Sequence, residues 1–172
     1  MRGLGVVAAA AALTACSSTN EAVNQALIEG AVGGIVATDC KIGRMTYWAA
    51  NATVPVYEIS FRIVMTNVSS KPVTLSGDNF ATTLDGTPIP PFNFSARDVG
   101  DADIWRTYDS LTIRPGEERS VALAYEISQP TYDSWYSSSR TVAVSFTCGN
   151  QRVTYTKNSR SDEITVSDIE TL

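Results

Sequence analysis

The 172-residue chain contains no histidine. It therefore has no imidazole to act as the base for a serine or cysteine nucleophile, and no histidine-based zinc or copper site. The Ser-x-x-Lys motif of penicillin-recognising enzymes is also missing, because Val68 and Thr154 stand three residues before Lys71 and Lys157. We predict a protein that is not an enzyme and uses no cofactor. A pair of carboxylates, as in glycosidases, is the one catalytic arrangement left open, although no spacing selects it.

Positive charge is scarce. Thirteen Lys and Arg stand against eighteen Asp and Glu, for a net charge of −5, and no basic run occurs anywhere. Nucleic acids and anionic membrane surfaces bind clustered Lys and Arg. The sequence therefore predicts no nucleic-acid partner.

Long apolar runs are missing too. The longest, from Gly3 to Leu13, is roughly half the ~20 residues that a membrane-spanning helix needs. It follows Arg2 and leads into small residues, and this order is typical of a secretory signal peptide. We predict an exported protein that loses residues 1–15.

The residues at the end of this segment, Leu13-Thr14-Ala15-Cys16, resemble the lipobox of bacterial lipoproteins. The resemblance implies lipid attachment to the thiol of Cys16, cleavage before it, and anchoring to the cell membrane or the outer membrane. Two or three acyl chains hold a protein stably at a bilayer, whereas one chain holds it only marginally. The alternative is an ordinary signal peptide with an incidental cysteine.

Only three cysteines are present. If Cys16 carries lipid, Cys40 and Cys148 remain, and an even pair in an oxidising compartment predicts one disulfide. Closing a loop of about 108 residues would stabilise the fold by roughly 4 to 5 kcal/mol in the chain-entropy model. Two buried free thiols are the alternative.

After a polar tether over residues 16–38, apolar and polar residues alternate with period two, the pattern of β-strands. The strongest strand alternates Tyr57, Ile59, Phe61, Ile63 and Met65 with mostly polar neighbours. Further strands are predicted from alternating apolar residues at Val73–Leu75, Leu111–Ile113, Val121–Tyr125, Val142–Cys148 and Val153–Tyr155. Asp85-Gly86 predicts the turn of another strand pair, and Gly149-Asn150 predicts a hairpin turn between the last two strands. About seven such strands predict one all-β antiparallel sandwich over residues 39–157, with a tail over 158–172.

Three segments, Glu58–Phe61, Thr66–Val73 and Leu111–Glu117, resemble the telokin-like, immunoglobulin-fold domain of many bacterial lipoproteins. In that group a strand ends in Asn and a small polar turn, and a later Pro-Gly-Glu turn precedes an alternating strand. The resemblance implies an immunoglobulin-like sandwich and indicates no particular function.

Large aromatic residues alternate with small polar ones from Gln129 to Ser139. Stiff amphipathic rings among serines are typical of binding loops. Tyr132, Trp135 and Tyr136 are therefore candidate partner-binding residues, and the alternative is that the rings fold over one end of the core.

Four acidic residues cluster between Asp98 and Asp109, with Asp101 and Asp103 between them. Such a cluster could offer oxygen ligands to calcium, but the spacing fits no EF-hand loop. A solvated acidic loop is the preferred interpretation, and no metal site is predicted.

These features predict a lipid-anchored, exported, non-catalytic binding or interaction module whose protein or envelope partner is unknown. One alternative is a structural subunit of a cell-envelope assembly, which pairs sheet edges with another chain. A less favoured alternative is an envelope glycan hydrolase with paired carboxylates.

Overall fold

A computed structural model of the protein describes residues 30–47, 52–90, 93–99 and 105–172. The predicted signal peptide and Cys16 lie outside these residues. Across the described ranges, no helix combines the length and the apolar character needed to cross a membrane.

The described residues form thirteen β-strands, a 3-10 turn (η1, Gly77–Asn79) and one short helix (α1, Gln129–Asp133). The strands are β1 (Ile35–Tyr47), β2 (Val56–Asn67), β3 (Val73–Leu75), β4 (Phe80–Leu84), β5 (Thr87–Ile89), β6 (Asn93–Asp98), β7 (Arg106–Thr107), β8 (Leu111–Ile113), β9 (Glu118–Glu126), β10 (Thr141–Cys148), β11 (Gln151–Asn158), β12 (Ile164–Val166) and β13 (Glu170–Thr171).

Two antiparallel sheets form the sandwich. The front sheet has the strand order β1-β2-β9-β6-β7, and the back sheet has the order β12-β11-β10-β4-β5, with β13 also pairing with β11. A small pair, β3 and β8, lies beside them. The predicted all-β antiparallel sandwich is confirmed. Its strands outnumber the seven predicted, in part because β7, β12 and β13 are only two or three residues long, too short to show alternation.

The core lies between the two sheets. On β2, Ile59, Phe61, Ile63 and Met65 all face inward and are at most 2% exposed, as their alternation predicts. Phe146 of the back sheet is equally buried in the same core. Each such side chain contributes about 1.5 to 3 kcal/mol through removal of apolar surface from water.

The sandwich extends past both predicted bounds. Val32 and Ile35 are buried in the core, so the fold begins before residue 39. After residue 157 the chain adds β12 and β13 to the back sheet. These additions have weak sequence signals because β12 and β13 are short and lie at the sheet's edge.

Two predicted hairpins are present. Asp85 and Gly86, with φ of 51° and 80°, connect β4 to β5, and Gly149, with φ of 61°, begins the turn between β10 and β11. Paired positive φ angles suit the right-handed twist of the flanking strands.

The predicted disulfide between Cys40 and Cys148 is not formed in this structure, in which both thiols are free. The Cys148 thiol packs against Gly33 instead, with 3.7 Å between its sulfur and the Gly33 carbonyl oxygen. Cys40 lies seven residues further along the chain, within β1.

Candidate functional site

The outer face of the front sheet, which points away from the core, contains a concave surface of about 330 Å³. We call it the trough. Its lining comes from β1, β2, β6, β9 and the residue that precedes β7: Met45, Glu58, Ser60, Arg62, Asn93, Ser95, Trp105, Ala122, Leu123 and Ala124.

Small side chains create the trough. Ser60 on β2 pairs with Ala124 on β9, which in turn pairs with Asn93 on β6. One row along, Ala122 pairs with both Arg62 and Ser95. Because the two alanines lie on β9, the central strand, the middle of the outer face has short side chains, and the longer side chains of the neighbouring strands surround it.

Glu58 is the most unusual residue of the trough. Its place in the alternation of β2 puts it on the outer, nominally wet face, yet it is only 5% exposed. Burial raises the pKa of its carboxyl above the ordinary value, and the nearby Arg62 guanidinium partly opposes this effect. The carboxylate lines the trough, and the Arg62 guanidinium is its charged neighbour among the described residues.

Asn93 presents an acceptor without a partner. Its side-chain oxygen is buried and makes no hydrogen bond within the described part of the chain. The trough thus contains two buried or nearly buried acceptors, Glu58 and Asn93.

Arg62 and Trp105 form one side of the trough. The guanidinium carbon of Arg62 lies 5.6 Å from the centroid of the Trp105 ring, and that of Arg97 lies 5.0 Å from it. Arg62 also contacts Met45, with 3.9 Å between Nη2 and Sδ. These cation–π and sulfur contacts hold Arg62 across the face, where its remaining N–H groups can donate to a ligand.

The predicted binding loop has a different structure from the one expected. Its first half is helix α1, in which the Ser128 hydroxyl accepts a hydrogen bond from the backbone N–H of Thr131 as an N-cap. Trp135 is 2% exposed and belongs to the core. Tyr132 is half-buried against Tyr57, with 5.0 Å between the ring centroids.

Tyr136 is the one candidate of the three that is well exposed, at 59%. The Arg44 guanidinium lies over its ring, 4.7 Å from the centroid, and also over the Tyr132 ring at 4.2 Å. Arg160 donates hydrogen bonds to the backbone carbonyls of Tyr136 and Ser137. The segment is therefore fastened to the sandwich at several points, and its partner-binding role stays a prediction.

The acidic cluster is only partly described. Asp98 forms an ion pair with Arg119, and exposed Asp109 lies beside a smaller pocket of about 290 Å³. Asp101 and Asp103 lie outside the described residues. In the ranges that the structure covers, no three acidic, cysteine or histidine side chains come together as a possible metal site.

No protein-family model matches the sequence, and no curated protein matches it. Three solved structures align with the chain. An uncharacterized β-sandwich protein from Clostridium difficile 630 is 16% identical, over 72% of this chain and 83% of that one, with a TM-score of 0.42. A protein from Archaeoglobus fulgidus is 12% identical, over 78% and 98%, with a TM-score of 0.34. A functionally unknown protein from Listeria monocytogenes EGD-e is 12% identical, over 68% and 78%, with a TM-score of 0.35.

Proposed function

We propose that the protein is an exported, non-catalytic binding module, held at a membrane through lipid on Cys16, and that the trough is its ligand-binding surface. The signal-like N-terminus and its lipobox resemblance support the location. The geometry of the front sheet supports the binding role.

The observation that carries the binding role is a pair of acceptors in the trough: the buried side-chain oxygen of Asn93, which has no hydrogen bond within the described residues, and the carboxylate of Glu58, a residue only 5% exposed. A buried polar group without a partner costs free energy, and a ligand that donates to it would recover that cost. Small-molecule sites are concave, mostly apolar and contain a few convergent polar groups, with volumes from about 300 Å³ upward. The trough meets each of these criteria.

The edge of the front sheet is less suited to the alternative of a structural subunit that pairs strands with another chain. β1 lies at that edge, carries the exposed charges of Asp39 and Lys41, and breaks register between Thr38 and Lys41. Charges and bulges on an edge strand oppose pairing with further strands. The face of the sheet is therefore the better binding surface.

One observation favours the hydrolase alternative enough to test it. Glu58 on β2 pairs directly with Glu126 on β9, so the outer face carries two carboxylates on neighbouring strands. Retaining glycosidases place two carboxyl groups about 5 Å apart. Release of reducing sugar from envelope glycans, abolished by both Glu58→Gln and Glu126→Gln, would support this function over simple binding.

The test of the binding role is co-purification from detergent-solubilised membranes. Ala124→Trp fills the trough, while Thr165→Trp adds the same bulk at an exposed position on β12 of the back sheet. We expect wild type and Thr165→Trp to retain the same ligand or partner and Ala124→Trp to lose it. Equal recovery with all three proteins would refute the trough as the binding surface.

The anchor has its own test, mass spectrometry of the mature amino terminus. We expect a chain that begins at Cys16 and carries the mass of attached acyl chains. An unmodified Cys16 would refute the lipid anchor and leave the binding role of the trough unaffected.

A further inference from the structure

The hydrogen-bonding groups of the trough point to a particular ligand chemistry. Glu58 and Asn93 supply acceptors, while Arg62 supplies donors. Ser60 and Ser95 add hydroxyl groups that both donate and accept. A complementary ligand therefore needs donors and acceptors close together.

The charges of the lining residues limit which class of ligand the trough can bind. The charged residues among the lining are Glu58 and Arg62, so the described wall is balanced in charge. A cationic ligand that approached Glu58 would be repelled by Arg62, and an anionic ligand at Arg62 would be repelled by Glu58. Neutral groups that donate to one and accept from the other, such as neighbouring hydroxyls, avoid both penalties.

The apolar part of the lining fits the same ligand. Met45, Ala122 and Ala124 present low apolar surface between the polar groups, and Trp105, whose ring contacts the Arg62 and Arg97 guanidiniums, borders this surface. The C–H faces of a sugar ring can pack on such surface while its hydroxyls reach the polar groups at the edges. The volume of about 330 Å³ is at the lower end of the range for small-molecule sites.

We infer that the trough binds a neutral saccharide, with a ligand hydroxyl donating to Glu58, another accepting from Arg62, and a ring packed against Met45 and the two alanines beside Trp105. This inference rests on the proposed binding role of the trough and specifies the class of ligand.

The test uses the full-length protein in a detergent without a sugar head group. It is screened against an array of defined neutral oligosaccharides, with charged oligosaccharides and with basic and acidic peptides as comparisons, and binders are measured by calorimetric titration. Glu58→Gln removes the charge of the acceptor, and Trp105→Ala removes the ring. Glu170→Gln is the matched control, because Glu170 is exposed on β13 of the back sheet and does not line the trough.

We expect neutral oligosaccharides to bind and Glu58→Gln to raise their Kd about 10- to 100-fold, the range for loss of a hydrogen bond to a charged group. Trp105→Ala should also weaken binding, and Glu170→Gln should leave Kd within about twofold of wild type. Circular dichroism and thermal unfolding of each variant establish that it is folded. Ala124→Trp gives a second route to the same result if Glu58→Gln does not fold.

Two results would overturn the saccharide inference while the proposed function stands: preferential binding of a charged peptide or charged glycan that Ala124→Trp abolishes, or neutral saccharide binding that no trough variant changes. If nothing binds and Ala124→Trp co-purifies with the same molecules as wild type, both the inference and the proposed function fail.

Discussion

The side-chain amide of Asn67 donates a hydrogen bond of 2.8 Å to the backbone carbonyl oxygen of Ile113 and so joins the end of β2 to β8. The same amide nitrogen donates to the carbonyl of Lys71, and the amide oxygen accepts from the backbone N–H and the hydroxyl of Ser69. Asn67 is fully buried, and its hydrogen bonds organise the turn between β2 and β3.

Replacement of Asn67 with Ala should therefore be strongly destabilising. It leaves the carbonyls of Lys71 and Ile113 without this donor, and we expect a loss of about 3 kcal/mol in the free energy of unfolding. Ser70→Ala, at an exposed position in the same turn, should change it by less than about 0.5 kcal/mol. Urea unfolding measures both, and equal stability of the two variants would contradict the role of Asn67.

Trp135 and Tyr136 are neighbours in sequence with opposite environments. Trp135→Ala leaves a cavity in the core and should lower the free energy of unfolding by about 3 to 5 kcal/mol. Tyr136→Ala removes an exposed ring and its contact with Arg44, at a cost of about 1 kcal/mol or less. Thermal unfolding measures the stability of each of the two variants. Loss of a partner by Tyr136→Ala at unchanged stability would support the predicted binding loop, and equal destabilisation would contradict the burial described.

Gly33 is held in a conformation that excludes a side chain. Its φ is 57°, and a Cβ there would overlap the sulfur and Cβ of Cys148. Gly33→Ala should therefore destabilise the protein by more than about 1 kcal/mol. Gly43→Ala is the matched control on β1, because a Cβ there meets nothing within 4 Å. Similar unfolding midpoints for the two variants would show that the close packing of Gly33 on Cys148 is incorrect.

Alkaline pH should destabilise the fold. Burial raises the pKa of Cys40 from 9.0 to about 12 and that of Tyr125 from 10.0 to about 12. Between those values the unfolded chain releases protons that the folded chain retains, so stability is complete below pH 9 and declines as pH rises towards 12. Each such group contributes a slope of up to about 1.4 kcal/mol per pH unit.

Urea unfolding at a series of pH values from 8 to 11 measures this decline. Tyr125→Phe keeps the ring and removes its buried hydroxyl, which lies near the buried hydroxyl of Thr82. We expect it to fold with nearly wild-type stability at pH 8 and to lose less stability by pH 11. A wild-type curve that stays flat to pH 11 would refute the burial of these two groups.

The two free thiols should differ in reactivity. At pH 8, a pKa of about 12 leaves a thiolate fraction on the order of one in ten thousand at Cys40. We expect slow labelling of Cys40 in the native protein, faster labelling of Cys148, and complete labelling of both in urea without a reductant. Mass spectrometry of the labelled peptides identifies each site. Failure of both cysteines to label in urea would show that they form the predicted disulfide.

Alternation along single segments carried much of the fold prediction. β2 and the β10–β11 hairpin are long enough to show period two, and their turns contain residues suited to positive φ. β6 has a weaker pattern, in which Phe94 and Ala96 are the inward residues, and its place beside β9 had no counterpart in the prediction. Helix α1 was expected to be a loop because five residues show no helical period.

The trough shows why the site itself was missed. Its lining comes from four strands and from Trp105, and these segments become neighbours only through the order β1-β2-β9-β6. Alternation assigned Glu58 to the outer face of β2, but its burial depends on the surrounding residues of other strands. No local pattern contains that information.

The sequence by itself determined the all-β class, the inward face of β2 and the principal turns, because period-two alternation and the backbone preferences of Gly and Asp are local properties. Only the tertiary structure decided that Trp135 packs into the core, that Cys40 and Cys148 remain free thiols, and that Glu58 lies buried in an outer trough. Each of these features depends on which distant strands pair and in what register, so it arises only when the two sheets are assembled.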